Sequence, residues 1–126
     1  EMSSRGLGDV YKRQVYTIRI YLKLRRRRTE PLDFEWDEAK NQANIIKHGI
    51  AFEEAMLIFR GVTLTEIDTR REYGEVREID IGMLPGKVII VVISTDRNGV
   101  TRIISARLAN RTERRRYDEY CQKIAQ

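Results

Sequence analysis

Arginine supplies most of the positions in this chain that suit chemistry on a charged substrate. The run RIISAR begins at Arg102, and six arginines fall between Arg102 and Arg116. In the alternating stretch VREIDIGM, Arg77 shares a side with Ile79, Ile81 and Met83, and Glu75 joins them if the strand extends that far. In VTRIISAR, Arg102 shares a side with Val100, Ile104 and Ala106, whereas Arg107 points the other way by strict alternation or leaves the sheet. A guanidinium on an otherwise apolar row is costly unless something pairs with it. Further back, Lys40, Asn44 and the pair Lys47-His48 recur at helical spacing as one polar stripe.

These residue types suit one reaction. RNA is cut without metal when its own 2′-hydroxyl attacks the neighbouring phosphate, which needs a base, an acid for the leaving oxygen, and cations facing the phosphoryl oxygens. Arg77 and Arg102 are the expected phosphate ligands, and His48 or Glu75 the proton carrier, with base and acid left unassigned. Lys40 and Arg107 are expected to contact substrate, with Lys47 open between a substrate contact and a favourable last-turn charge. Each has a plainer reading beside it. A histidine in a last helical turn is also a favourable C-terminal charge, and Glu75 beside Arg77 is also a simple cross-link. The run ERRR at 113–116 reads as the solvated face of a helix, because Arg111, Arg114 and Arg115 fall away from Tyr117 and Tyr120.

Composition narrows the classes. With 126 residues, 41% hydrophobic and 34% charged, the chain is long enough for one cored globular domain and too apolar for disorder. The longest apolar run falls far short of the ~20 residues a bilayer crossing needs, so a cytoplasmic protein with no membrane association is expected. One histidine and one cysteine exclude both a disulfide framework and an N/S zinc site. No cofactor and no metal is expected, since neither a Gly-rich phosphate loop, a Ser-His-Asp order nor a carboxylate cluster occurs. Charge is polarised: residues 77–116 hold nine Lys/Arg against four Asp/Glu, the footprint of a polyanion site.

The elements that must position these residues follow from periodicity. Residues 1–30, with nine Lys/Arg against three Asp/Glu, read as an N-terminal extension, partly disordered. Its stretch DVYKRQ resembles a translated adaptor, and VYTIRIYLKL alternates as an edge strand would. The domain proper is expected over 31–126. LDFEW alternates as a short strand, and Asp37 suits the N-cap of a helix with Ala39, Ala43, Ile46 and Ile50 inward. AFEEAMLIF makes a second, short helix. VTLTEI, VREIDIGM, KVIIVVIST and VTRIISAR follow as strands, with KVIIVVIST central because it is apolar on both faces. Asn110 and Glu113 spell a capping box for a last helix with Tyr117, Tyr120, Cys121 and Ile124 inward. The class is α+β: a single antiparallel sheet of four to five strands, two N-terminal helices and one C-terminal helix.

Three blocks in order, FEWDEAKNQANIIKHGIAFEEA, YGEVREIDIG and RIISARLANRTERRRYDEY, closely resemble the BrnT family across about residues 33–120. The resemblance implies a RelE-like fold and the toxin half of a bacterial type II toxin–antitoxin pair. It implies an endoribonuclease that arrests translation and growth, held inactive by a BrnA-like antitoxin. DNA contact is then expected only through that antitoxin, and the resemblance of the first block implies that Lys47 contacts substrate. The alternative is a non-catalytic nucleic-acid-binding or antitoxin-interaction domain. A binding module wants exposed aromatics to stack on bases, and Phe52, Phe59, Tyr117 and Tyr120 fall on stripes expected to be buried.

Overall fold

A computed structural model describes residues 33–125; the alternating stretch 15–24 and the tetra-arginine run 25–28 lie outside them. Five strands form one sheet in the order β1-β5-β4-β3-β2. They are β1 (Phe34–Glu35), β2 (Thr63–Ile67), β3 (Arg77–Leu84), β4 (Val88–Arg97) and β5 (Val100–Leu108). β2 to β5 pair antiparallel, as expected, and β4 is central. The sheet is nevertheless mixed, because β1 lies parallel to β5, with Phe34 opposite Thr101 and Glu35 opposite Arg102. A parallel neighbour needs a crossover, and the long path from β1 through three helical segments and three strands supplies it.

α1 (Glu38–His48) starts at Asp37, whose carboxylate accepts from the Lys40 amide, and stops at Gly49. α2 is one turn (Phe52–Ala55) and runs on into a 3-10 segment, Met56–Arg60. α3 (Arg111–Ile124) carries the capping box, with Asn110 and Glu113 each bonded to the other's backbone amide. Cross-strand partners share a sheet face, so register sorts the side chains. One face carries Gly82, Ile90, Val92, Ile103 and Ala106, and packs on the N-terminal helical segments. There a Cβ on Gly82 would lie 2.7 Å from Cβ of Ile58, so only glycine admits the helix this closely. The other face carries Ile81 and Val91, which pack with Ala109 and Tyr117 under α3. Tyr117 donates to the Val62 carbonyl at 2.8 Å, and burial pushes its hydroxyl pKa up to about 12.

α1 does not bury the stripe its periodicity suggests. Ala39 and Ala43 are exposed and Ile46 is 87% exposed, while Asn41 and Asn44 are buried. Each asparagine does a backbone's work. Asn44 donates to the carbonyls of Ile50 and Ala106 and accepts from the Ala106 amide, closing the edge of β5 beyond the two-residue β1. Asn41 accepts from the Phe52 amide and donates to the Glu38 and Glu53 carboxylates. At the far end of the chain, Ile124 is 51% exposed, so the inward stripe of α3 stops at Cys121.

Candidate active site

α3 covers only part of its face. Beyond it, at the end of the sheet where β4 turns into β5, three arginines emerge on the same side. Arg77 and Arg102 are both cross-strand partners of Thr95, one from β3 and one from β5. Glu35 of β1 extends this row on the far side of Arg102. With strands ~4.8 Å apart, the two arginine Cα atoms are about 10 Å from each other, a span that two guanidiniums bridge around one phosphate. Arg97, two residues past Thr95, projects from the same face by alternation. A two-residue turn, Asn98–Gly99, brings the chain back with φ of 54° and 87°, the left-handed pair that a tight hairpin requires.

The charges are partly balanced. Glu75, just ahead of β3, sits between two cations: it accepts from Arg97 Nε and Nη2 at 3.4 and 3.3 Å and lies 3.9 Å from Arg77 Nε. Arg102 is 3.6 Å from Glu35. Arg77 and Arg102 keep only about a quarter of their side-chain surface in water, 25% and 26%. Arg77 Nε is buried with no hydrogen-bond partner among the described residues. A buried donor left unpaired costs about 1–3 kcal/mol.

The connection 68–76 folds over this end of the face. Asp68, whose side chain is 1% exposed, takes the Arg70 amide and guanidinium and the Tyr73 hydroxyl. The Arg70 bonds, more than the tyrosine, hold its carboxyl down at about 2. The Tyr73 ring then stacks on Arg77, with Cζ 4.0 Å from the ring centre.

Arg107 corrects the alternation argument. Between Arg102 and Arg107 the register with β4 slips by one at Ile93/Ser94, so Ile104 has no partner and Arg107 stands opposite Val91. The bulge returns Arg107 to the face of Arg102 and sends Ala106 to the helix-packed side, fully buried. Arg107 is engaged, however: both terminal nitrogens donate to Glu113 at 2.8 Å. That bond raises its pKa, against the burial that disfavours its charge. The α1 candidates stand apart from the row. Lys40 and Lys47 are exposed and His48 is half-buried, one turn beyond the Asn44 clamp on Ala106, which is itself four residues along β5 from Arg102. Arg111, Arg114 and Arg115 are exposed, as expected, and Phe52, Phe59 and Tyr117 are buried, which leaves none of the three as a stacking platform. Arg97 was missed because KVIIVVIST ends the expected strand at Thr95, whereas β4 runs on to Arg97, and Tyr73 because its partner lies four residues on and around a bend.

Among the described residues no group of His, Cys, Asp and Glu is arranged to hold a metal, and no helix is long and apolar enough to cross a membrane. No curated protein matches the chain. Among solved structures, it is similar to the crystal structure of the Brucella abortus ribonuclease toxin BrnT, with a TM-score of 0.50 and 29% identity over 64% of this chain and 100% of that one. The sequence model of the family described as "ribonuclease toxin, BrnT, of type II toxin-antitoxin system" matches residues 36–113. That span holds Glu75, Arg77, Arg97 and Arg102 together with all of α1. Matched over more than half its length, and with its arginine row inside the match, this chain belongs to the BrnT family of ribonuclease toxins.

Proposed function

We propose that the chain is a metal-independent endoribonuclease whose scissile phosphate sits on the Arg77–Thr95–Arg102 row. Two guanidiniums on one cross-strand row, at the end of the sheet face that α3 leaves clear, carry this reading. Glu75 takes the proton of the 2′-hydroxyl as its oxygen attacks phosphorus. The P–O5′ bond breaks, the 5′-oxygen takes a proton from water, a 2′,3′-cyclic phosphate remains, and Glu75 returns its proton to solvent. Arg77 and Arg102 face the oxygens on which charge builds, and Arg97 keeps the Glu75 carboxylate oriented. The α1 residues Lys40, Lys47 and His48 lie off this row and have no step in the scheme. Arg107 serves chiefly to tie β5 to α3.

Purified protein and a structured RNA test it. Cutting should persist in EDTA and leave cyclic ends. Arg77→Ala and Arg102→Ala should each slow it by about 10²–10³-fold, the loss expected for one preorganised group facing developing charge. Glu75→Gln should be comparably damaging and His48→Gln should not. Abolition by EDTA, or a dominant effect of His48→Gln, would move the chemistry elsewhere.

As a type II toxin the chain has an antitoxin partner. We infer that this is a BrnA-like protein that covers the cationic face, in the cytoplasm, and that release from it arrests translation and growth. Co-expression should give one co-eluting complex in size-exclusion chromatography at micromolar concentration; separate elution would refute it.

A further inference from the structure

Arg77 differs from the other arginines of the row in what surrounds its guanidinium. Its neighbour is an aromatic face, 4.0 Å from Cζ to the Tyr73 centroid, and its Nε is buried without a hydrogen bond among the described residues. Its carboxylate contact, 3.9 Å to Glu75, is too long to orient it. A guanidinium held by charge alone swings freely, whereas one stacked on a ring has its plane set.

The ring in turn is fixed at its far end. Tyr73 Oη donates to Asp68 Oδ2 at 3.0 Å. Asp68 is immobilised by three bonds from Arg70 and by its own amide, which donates to the Arg77 carbonyl at 2.8 Å. The chain of contacts therefore closes on itself: Arg77 backbone, Asp68, Tyr73, Arg77 guanidinium.

We propose that Tyr73 is a positioning residue for Arg77, setting the guanidinium plane so that its terminal nitrogens meet the phosphoryl oxygens as they gain charge. This rests on the reading of Arg77 as a phosphate ligand. Tyr73 touches no reacting atom, and its effect passes wholly through Arg77. The arrangement preorganises the cation in the free protein, so substrate binding is nearly unaffected while the chemical step depends on the ring.

Three measurements on the full chain decide it. In single-turnover cleavage, Tyr73→Leu should lower the rate constant by about tenfold or more, with the half-saturating RNA concentration within about threefold of wild type, as for an interaction realised in the transition state. Tyr73→Met replaces it if the leucine variant melts early. Tyr73→Phe, which keeps the ring and loses only the bond to Asp68, should restore most of the rate. In an Arg77→Ala background, Tyr73→Leu should cost nothing further. Independently of activity, the Arg77 Nε–H resonance should be shifted upfield by the ring in wild type and in Tyr73→Phe, and return to the ordinary arginine position in Tyr73→Leu. Additive losses in the double variant, a Leu variant at wild-type rate while Arg77→Ala is impaired, or an unshifted Nε–H signal would each overturn the proposal. Failure of the underlying reading looks different: the resonance moves as expected, but Arg77→Ala itself cuts at full rate, and the proposal falls with it.

Discussion

A charged side chain among core residues needs a reason, and the two sets of arginines in this chain have different ones. Arg77 and Arg102 are about three-quarters removed from water and their nearest carboxylates stand at 3.9 and 3.6 Å, so neither pair is tight. Arg115 is exposed on α3. Arg115→Ala should accordingly change cleavage by less than about twofold, against the 10²–10³-fold for the row, and all three variants should melt close to wild type; one RNA assay with a thermal scan covers both expectations. Asp68 makes a separate prediction about acid. Its carboxyl lies at about 2 in the fold against an ordinary 3.8. A depressed carboxylate stabilises the fold above its unfolded value and stops doing so as pH falls through its folded one. Denaturant stability should therefore drop between about pH 4 and pH 2, and Asp68→Asn should be less stable at pH 5 and flatten that part of the profile. That Arg77 and Arg102 stand on otherwise apolar rows was readable from alternation alone. The Asp68–Tyr73 link was not, because it depends on how one irregular connection folds back.

Two elements show where periodicity works and where it misleads. β4 reads as central because KVIIVVIST has no polar side, and it is the third of five strands. α1 reads as burying Ala39, Ala43 and Ile46, and instead buries two asparagines. Apolar spacing marks a face that can be buried; it does not say that the helix meets a sheet edge, where unpaired backbone groups are the neighbours and an amide satisfies both of them. Asn44→Leu should thus destabilise, although leucine is the better core residue: it strands the Ala106 amide and carbonyl at about 1–3 kcal/mol each. Asn44→Asp should be worse, since it sets a carboxylate against the carbonyls of Ile50 and Ala106. Urea midpoints of the three proteins rank them. The bulge at Ile104 is the other element that alternation cannot foresee, and deleting that residue should leave a regular ladder with Arg107 still opposite Val91 on the face of Arg102.

At the scale of the whole molecule, register segregates two surfaces. The end of the sheet bearing Arg77, Arg97 and Arg102 is cationic. The opposite end, where β3 turns into β4, gathers Val62, Met83, Val88 and Leu108, four of the six exposed large hydrophobics among the described residues. The core between them is thin, so a single buried charge is decisive: Val91, 1% exposed under Tyr117, replaced by Asp should abolish the cooperative melt, because an unpaired carboxylate there costs several kcal/mol, comparable with the whole stability of such a domain. The fold class, strand sequence and capped last helix were legible because each rests on local patterning. The parallel placing of β1 was not, because nothing local to Phe34–Glu35 names a partner nearly seventy residues away.

That separation gives the amide-faced helix a meaning in time. Asn44 and Ala106 are 62 residues apart, so a growing chain exposes α1 well before the strand edge it will close has been made. A helix whose inner face were leucine would spend that interval offering an adhesive surface to every other unfinished chain nearby. One whose inner face is carboxamide is content in water until β5 arrives, and then exchanges solvent for peptide with almost the same bonds. In a growing chain, the closing of α1 on β5 is thus guarded by chemistry that does not stick.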